Sequence, residues 1–168
     1  IENDLSLVSL CKVKVVIHPL DEIENEAFSA RPGRCIDHID VELGARQPDA
    51  ELLNIADLDA DDEVLYSDLF RSNCPVTGQP DWASIELRYT GKKISELSLL
   101  QYLISFREHQ GYHEECAERI FRDIMLTCQP SELRVGMNFL RRGGLDINVY
   151  RSTEPVTSDS VNARLTRQ

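Results

Sequence analysis

Cys74 lies in a short stretch, Ser-Asn-Cys-Pro-Val-Thr-Gly-Gln-Pro-Asp (72–81), that holds two prolines and a glycine. Helices and central strands do not tolerate that composition, so the stretch reads as an ordered loop. A thiol held in a rigid loop, outside any apolar periodicity, is a candidate nucleophile. The plainer reading is a loop cysteine with no chemistry. Asp81 closes the same loop, where its carboxyl can return toward the thiol and relay a proton. Alone it would read as a turn or capping residue. Of the other cysteines, Cys116 and Cys128 fall on an apolar helical stripe and Cys11 begins a strand pattern, positions typical of inert packing.

Two further groups could bind ligands. His113-Glu114-Glu115 opens a helical pattern. Acids in a first turn suit the helix dipole, which is the structural reading for one or both. The functional reading is a carboxylate accepting two N–H bonds from a planar, guanine-like edge. A single His-x-x-Cys, His113 with Cys116, lacks the second ligand pair of a zinc site, so no metal is expected. Arg141-Arg142-Gly143-Gly144 is a hairpin turn in one reading and an anion clamp in the other, with arginine forks and bare glycine backbone against a phosphate. Neither Gly-x-Gly-x-x-Gly nor a P-loop occurs.

The elements that must position these residues follow from periodicity. Alternation predicts strands at Val64–Phe70, Ile85–Tyr89, Leu133–Phe139 and Leu145–Val149, and N-terminal strands from Lys12 to Ile17 and from Ile36 to Leu43. Ser95 caps a helix carrying Leu97, Leu100, Leu103, Ile104 and Phe106, which Gly111 breaks. A second helix carries Ala117, Ile120, Phe121, Ile124 and Met125 and stops before Pro130. Strand pairs with two helices between them predict an α+β layer, an antiparallel sheet covered by helices on one face. Asp21–Gly33 reads as a loop, and the acidic stretch Asp49–Glu63 as a solvated connection.

The chain has 168 residues, a net charge of −11, 42% hydrophobic residues and five cysteines. The hydrophobic share suffices for a core. The charge argues against nucleic-acid binding. No apolar run is long enough for a membrane-spanning helix, and no secretion signal precedes the odd set of cysteines, so reduced thiols in the cytoplasm are expected. A start at Ile1, within a helical pattern, suggests a piece of a longer protein. Expected units are the end of a first module (1–48), an acidic linker (49–63), a complete module (64–152) and a flexible tail (153–168).

Residues 72–82, 106–116 and 141–148 together resemble the NADPH-dependent 7-cyano-7-deazaguanine reductases of queuosine biosynthesis. The three motifs occur in the family's order, and residues 1–48 resemble the end of the first module in its two-module subfamily. The resemblance implies a tunnelling fold (T-fold), whose sheets associate into a barrel, and hence a homo-oligomer, a homodimer in two-module relatives. It implies that Cys74 attacks the nitrile carbon to give a thioimide and that Asp81 donates the proton. His113 and Glu114 would hold the deazapurine, and Arg142 and Gly143 would touch NADPH. Two departures stand out. Ser95–Tyr102 lacks the spaced lysines of the family's cofactor signature, so part of the NADPH site and of the substrate site is expected elsewhere. Tyr112 stands where Phe is usual before His-Glu, which keeps the stacking face and adds a hydroxyl. Competing readings are a pterin or purine cyclohydrolase, for which a zinc-ligand set is missing, and a purine-binding or assembly module without turnover.

Overall fold

The computed structural model describes residues 1–17, 31–42, 44–155 and 165. Helix α1 spans Glu2–Ser9, and β1 is the two-residue strand Arg34–Cys35. Two long strands follow, β2 (Ile55–Asn73) and β3 (Pro80–Ile94). Then come α2 (Glu96–Ile104), a 3-10 turn (Ser105–Glu108) and α3 (His113–Thr127). Strands β4 (Glu132–Arg142) and β5 (Leu145–Ser152) complete the sheet. Its order is β1-β2-β3-β4-β5, antiparallel throughout except for the parallel β1–β2 pair. This is the expected α+β arrangement.

Alternation divides the sheet's two faces. On β3, Ala83, Ile85, Leu87 and Tyr89 are buried, as the period of two requires. With Leu133, Val135, Met137 and Phe139 of β4 they meet Leu99, Leu100 and Leu103 of α2 and Ile120 and Ile124 of α3. Each Leu, Ile, Val, Met or Phe among them contributes roughly 1.5–3 kcal/mol when fully buried. Rings continue the core toward the end that carries Cys74: Phe106 lies 5.4 Å from both Phe70 and Tyr102, and Phe139 meets Phe70 edge-on at 6.2 Å. The opposite face is polar. There Arg31 donates to Ser84 Oγ (2.6 Å) and pairs with Asp68.

The N-terminal segments depart from the strands that their alternation predicts. Lys12–Ile17 is irregular rather than a strand. Its backbone is satisfied by α1 side chains: Val13 N–H donates to Ser6 Oγ (2.9 Å) and Val15 N–H to Glu2 Oε1 (2.7 Å). The strand expected at Ile36–Leu43 does not form over the described residues 36–42; the strand of this region is Arg34–Cys35, just before it. Ile36 N–H still reaches the Tyr66 carbonyl, but Asp37 then accepts from Asp68 N–H (2.8 Å) and a turn ends the pairing. Leu43 and most of the loop expected at Asp21–Gly33 lie outside the described residues, as does most of the tail.

The acidic stretch is not a loop either. From Ile55 it is already strand β2, paired with β3 through bulges between Ile55 and Asp59 and between Ala60 and Glu63. Backbone pairing proceeds because basic residues meet the carboxylates. Lys92 reaches Asp57 (3.3 Å) and Asp59 (3.0 Å), Arg88 pairs with Asp62, and Arg34 holds Glu63 (2.8 Å). The Asp57, Asp59 and Asp62 side chains are solvated, as charge predicts, while Glu63 is largely covered and the backbone is not free. Ser95 is the N-cap of α2, its hydroxyl accepting from Ser98 N–H.

Candidate active site

Strands β2 and β3 form a hairpin whose turn carries Cys74. The loop is tighter than the sequence suggests, since β2 runs to Asn73 and β3 starts at Pro80. Cys74 N–H donates to the Gln79 carbonyl (2.8 Å) and Gly78 N–H to the Cys74 carbonyl (2.9 Å). Gly78 sits at φ +70°, a conformation that favours glycine. This folding curls the turn back on the thiol. The Thr77 hydroxyl, with the backbone N–H groups of Thr77 and Val76, holds the Cys74 thiol below its ordinary range, while burial and the Asp81 charge oppose the shift. Donors converging on sulfur favour thiolate, the reactive form. Cys116 and Cys128 contrast sharply, with burial pushing each thiol up to about 11.

Asp81 is the second residue of β3 rather than a loop residue, and it faces the helix layer, 5% exposed. Arg142, at the end of β4, donates to Asp81 Oδ1 from Nε (2.7 Å) and also from Nη2. Its Nη1 donates to Gln79 Oε1 (2.8 Å). His113 Nε2 lies 3.3 Å from the same Asp81 oxygen. The His113 ring stacks on Phe139 at 3.9 Å with an interplanar angle of 17°, which fixes its plane.

Backbone bonds bring the first turn of α3 to the thiol. Asn73 N–H donates to the His109 carbonyl (2.8 Å), and Gly111 N–H to the Asn73 carbonyl (3.2 Å). A Cβ on Gly111 would sit 2.9 Å from His109 Nε2, so any other residue here would have to shift the His109 ring. The two acids of the first turn divide their tasks. Glu115 accepts from Tyr112 N–H (3.2 Å) and caps the helix. Glu114 lines a cavity.

That cavity, of about 200 Å3, is bounded by Cys74, Asp81, Tyr112, His113, Glu114 and Arg142. Cys74, Asp81, His113, Glu114 and Arg142 thus surround one space, with Tyr112 beside them. Gly143 does not. It lines a neighbouring cavity of about 430 Å3 with Gln79, Trp82, Arg141 and Arg142, and Asp81 and Arg142 border both spaces. Gly143 and Gly144 take φ of +56° and +84°, meeting the hairpin's demand, and no atom lies within 4 Å of a Cβ built on either. The turn reading and an open approach to backbone therefore hold together. Thr77, Gln79 and Phe139 do not stand out in the sequence as site residues. Thr77 carries the signal of a hydroxyl in a turn; Phe139 carries only the core alternation of β4, and Gln79 carries none.

Among the described residues no group of three or more His, Cys, Asp or Glu side chains could hold a metal, and no helix is long and apolar enough to cross a membrane. For a nicotinamide dinucleotide, the donor set of the second cavity is suitable in kind. Arginine forks and uncrowded glycine backbone fit phosphate oxygens. Ser95–Tyr102 takes no part in it; Leu99, Leu100 and Tyr102 of that segment are core residues of α2.

Fold and cavity together describe a loop thiol beside a carboxylate on an antiparallel α+β module. Along its whole length the chain is homologous to proteins named NADPH-dependent 7-cyano-7-deazaguanine reductase. The protein of that name from Legionella pneumophila (strain Corby) is 48% identical over 169 residues, covering 100% of this chain and 59% of the relative. That from Desulfotalea psychrophila is 47% identical over 170 residues, covering 100% of this chain and 60% of the relative. The chain therefore spans about three-fifths of the length of these relatives. Residues 80–157 match the family model described as QueF-like protein. A solved structure described as the archaeosine synthase QueF-Like in the apo form overlays 56% of this chain and 92% of that one, with a TM-score of 0.46 and 18% identity.

Proposed function

We propose that this chain carries the nucleophile-bearing module of an NADPH-dependent reductase that converts the nitrile of 7-cyano-7-deazaguanine to the aminomethyl group of 7-aminomethyl-7-deazaguanine, in queuosine biosynthesis. The observation that carries the reading is the single cavity shared by Cys74, Asp81, His113 and Glu114, in a chain homologous to reductases of that name.

A nitrile is a poor hydride acceptor, and covalent addition makes it a better one. The Cys74 thiolate attacks the nitrile carbon. The S–C bond forms as one π bond of the nitrile opens. The proton that leaves the thiol passes through the Asp81 carboxyl to the nitrogen, giving a neutral thioimide. His113, held flat against Phe139, keeps Asp81 and the substrate ring in place. Glu114 accepts the paired N–H groups of the amino-pyrimidinone edge. Arg142 and Gly143 face the space suited to the dinucleotide, which when bound supplies the hydrides.

The module division follows the same reading. Residues 1–48 form the end of a first module, 49–63 the acidic connection, and 64–152 the complete second module. The remaining contacts to substrate and cofactor then come from parts of the relatives that this chain does not span. T-fold barrel assembly, a homo-oligomer and a cytoplasmic setting complete the proposal.

Calorimetric titration of the Cys74→Ala chain with 7-cyano-7-deazaguanine tests it without covalent capture. Saturable binding, lost on further Glu114→Gln substitution, is expected. No heat from the nitrile at any attainable concentration would contradict the assignment.

A further inference from the structure

Arg142 stands on the wall between the two cavities and belongs to both. Its resolved guanidinium contacts reach across to the β2–β3 hairpin. Nε and Nη2 donate to Asp81, and Nη1 donates to Gln79. Arg141, next to it, pairs instead with Asp146 (2.9 Å). Thus Arg142 is the arginine of this turn whose partner faces the nucleophile. The exposures differ as well: the Arg142 side chain is 33% exposed and can be met by a ligand, while Asp81, at 5%, cannot move to one.

We infer that Arg142 is a positioning residue through which an anion in the Gly143 cavity acts on Cys74: it neutralises and orients Asp81 until the anion draws its guanidinium away. Naming that anion as a dinucleotide phosphate rests on the function proposed above; the link from Arg142 to Cys74 through Asp81 does not. The charged and titratable groups around this point include Asp81, His113, Glu114, Arg141 and Arg142, with the buried Cys116 and, acting on it, Glu115 and Arg119. The Asp81 charge opposes the Cys74 thiolate, and Arg142 is the cation that offsets it. When an anion takes the guanidinium, Asp81 keeps His113 alone, and a carboxylate no longer neutralised faces the sulfur. The thiol then becomes less reactive. Addition at Cys74 therefore comes before anion docking, and docking quiets a free thiol.

The rate of Cys74 alkylation by iodoacetamide, followed by peptide mass mapping, reads this directly. Adenosine 2′,5′-bisphosphate serves as the anion, with its binding followed by calorimetry. At neutral pH, Arg142→Gln should slow alkylation roughly three- to tenfold, the scale of a charge contact partly open to water. The bisphosphate should slow the unsubstituted chain similarly and leave Arg142→Gln unaffected. In an Asp81→Asn background, Arg142→Gln should cause no further slowing, which a merely structural role for Arg142 would not produce. The arm with the unsubstituted chain needs no variant to fold. Equal slowing of both proteins by the bisphosphate, absence of bisphosphate binding, or an Arg142→Gln effect that persists without Asp81 would each overturn the inference. A failure of the nitrile reading would leave the alkylation rates untouched, so the two can be told apart.

Discussion

Asn73 donates its backbone N–H to the carbonyl of His109 at 2.8 Å, tying the last residue of β2 to the segment that leads into α3. This bond sets Cys74, the next residue, beside His113. The Asn73 side chain adds a second tie, Nδ2 to the Arg107 carbonyl (3.2 Å). Asn73→Ala keeps the backbone bond and loses the side-chain one. It should destabilise the fold by about 1 kcal/mol, measured by chemical denaturation. It should also slow Cys74 alkylation, because the turn is held less firmly against α3.

Phe139 supports the site from within the core. It is 1% exposed and carries the stacked His113 ring. Phe139→Ala should cost about 3–5 kcal/mol in the same denaturation experiment. Phe139→Leu should cost less but loosen His113, so deazapurine binding should weaken more than stability does.

Cys74 reactivity should follow its depressed thiol. Thiolate accumulates above the pKa, so the alkylation rate should rise with pH through a midpoint below that of an ordinary thiol. Thr77→Val removes the hydroxyl that does most to depress it and should move that midpoint upward. A profile unchanged by Thr77→Val would contradict the role given to the turn. Cys116 and Cys128, pushed up to about 11 by burial, should stay unlabelled at neutral pH until the protein unfolds.

The ring chain ends in a buried polar contact, Tyr102 Oη donating to Asp123 Oδ2 at 2.8 Å. Tyr102→Phe should cost roughly 1.5–3 kcal/mol, the range for a hydrogen bond to a charged group. Cys74 alkylation should not change, since this contact supports α2 against α3 and not the turn.

Much of this was legible in the sequence. The sheet strands from Val64 onward, the Ser95 cap and α3 follow from period and capping alone, because each strand and α3 have one wet and one buried face; α2 starts where the cap places it but is buried on nearly all sides, Leu97 of its expected apolar stripe is exposed, and Phe106 falls in the 3-10 turn after it. The N-terminal segments misled for a specific reason. Val13, Val15 and Ile17 alternate like a strand, yet the backbone bonds to Ser6 and Glu2, and periodicity carries no information about the partner. The charges of Asp57, Asp59 and Asp62 read as a solvated loop because Lys92 and Arg88, which meet them, lie on the next strand. At the site, the residue types of Cys74, Asp81, His113 and Glu114 stood out locally. The contact of Arg142 with Asp81 and Gln79 joins the two hairpins, and no local spacing encodes it.

The most direct test is the intact mass of this chain after mixing with 7-cyano-7-deazaguanine in the absence of NADPH. The account predicts a gain equal to the mass of the nitrile, mapped to Cys74 and absent in Cys74→Ala. A gain that persists in Cys74→Ala, or no gain in a chain that calorimetry shows to bind the nitrile, would contradict it.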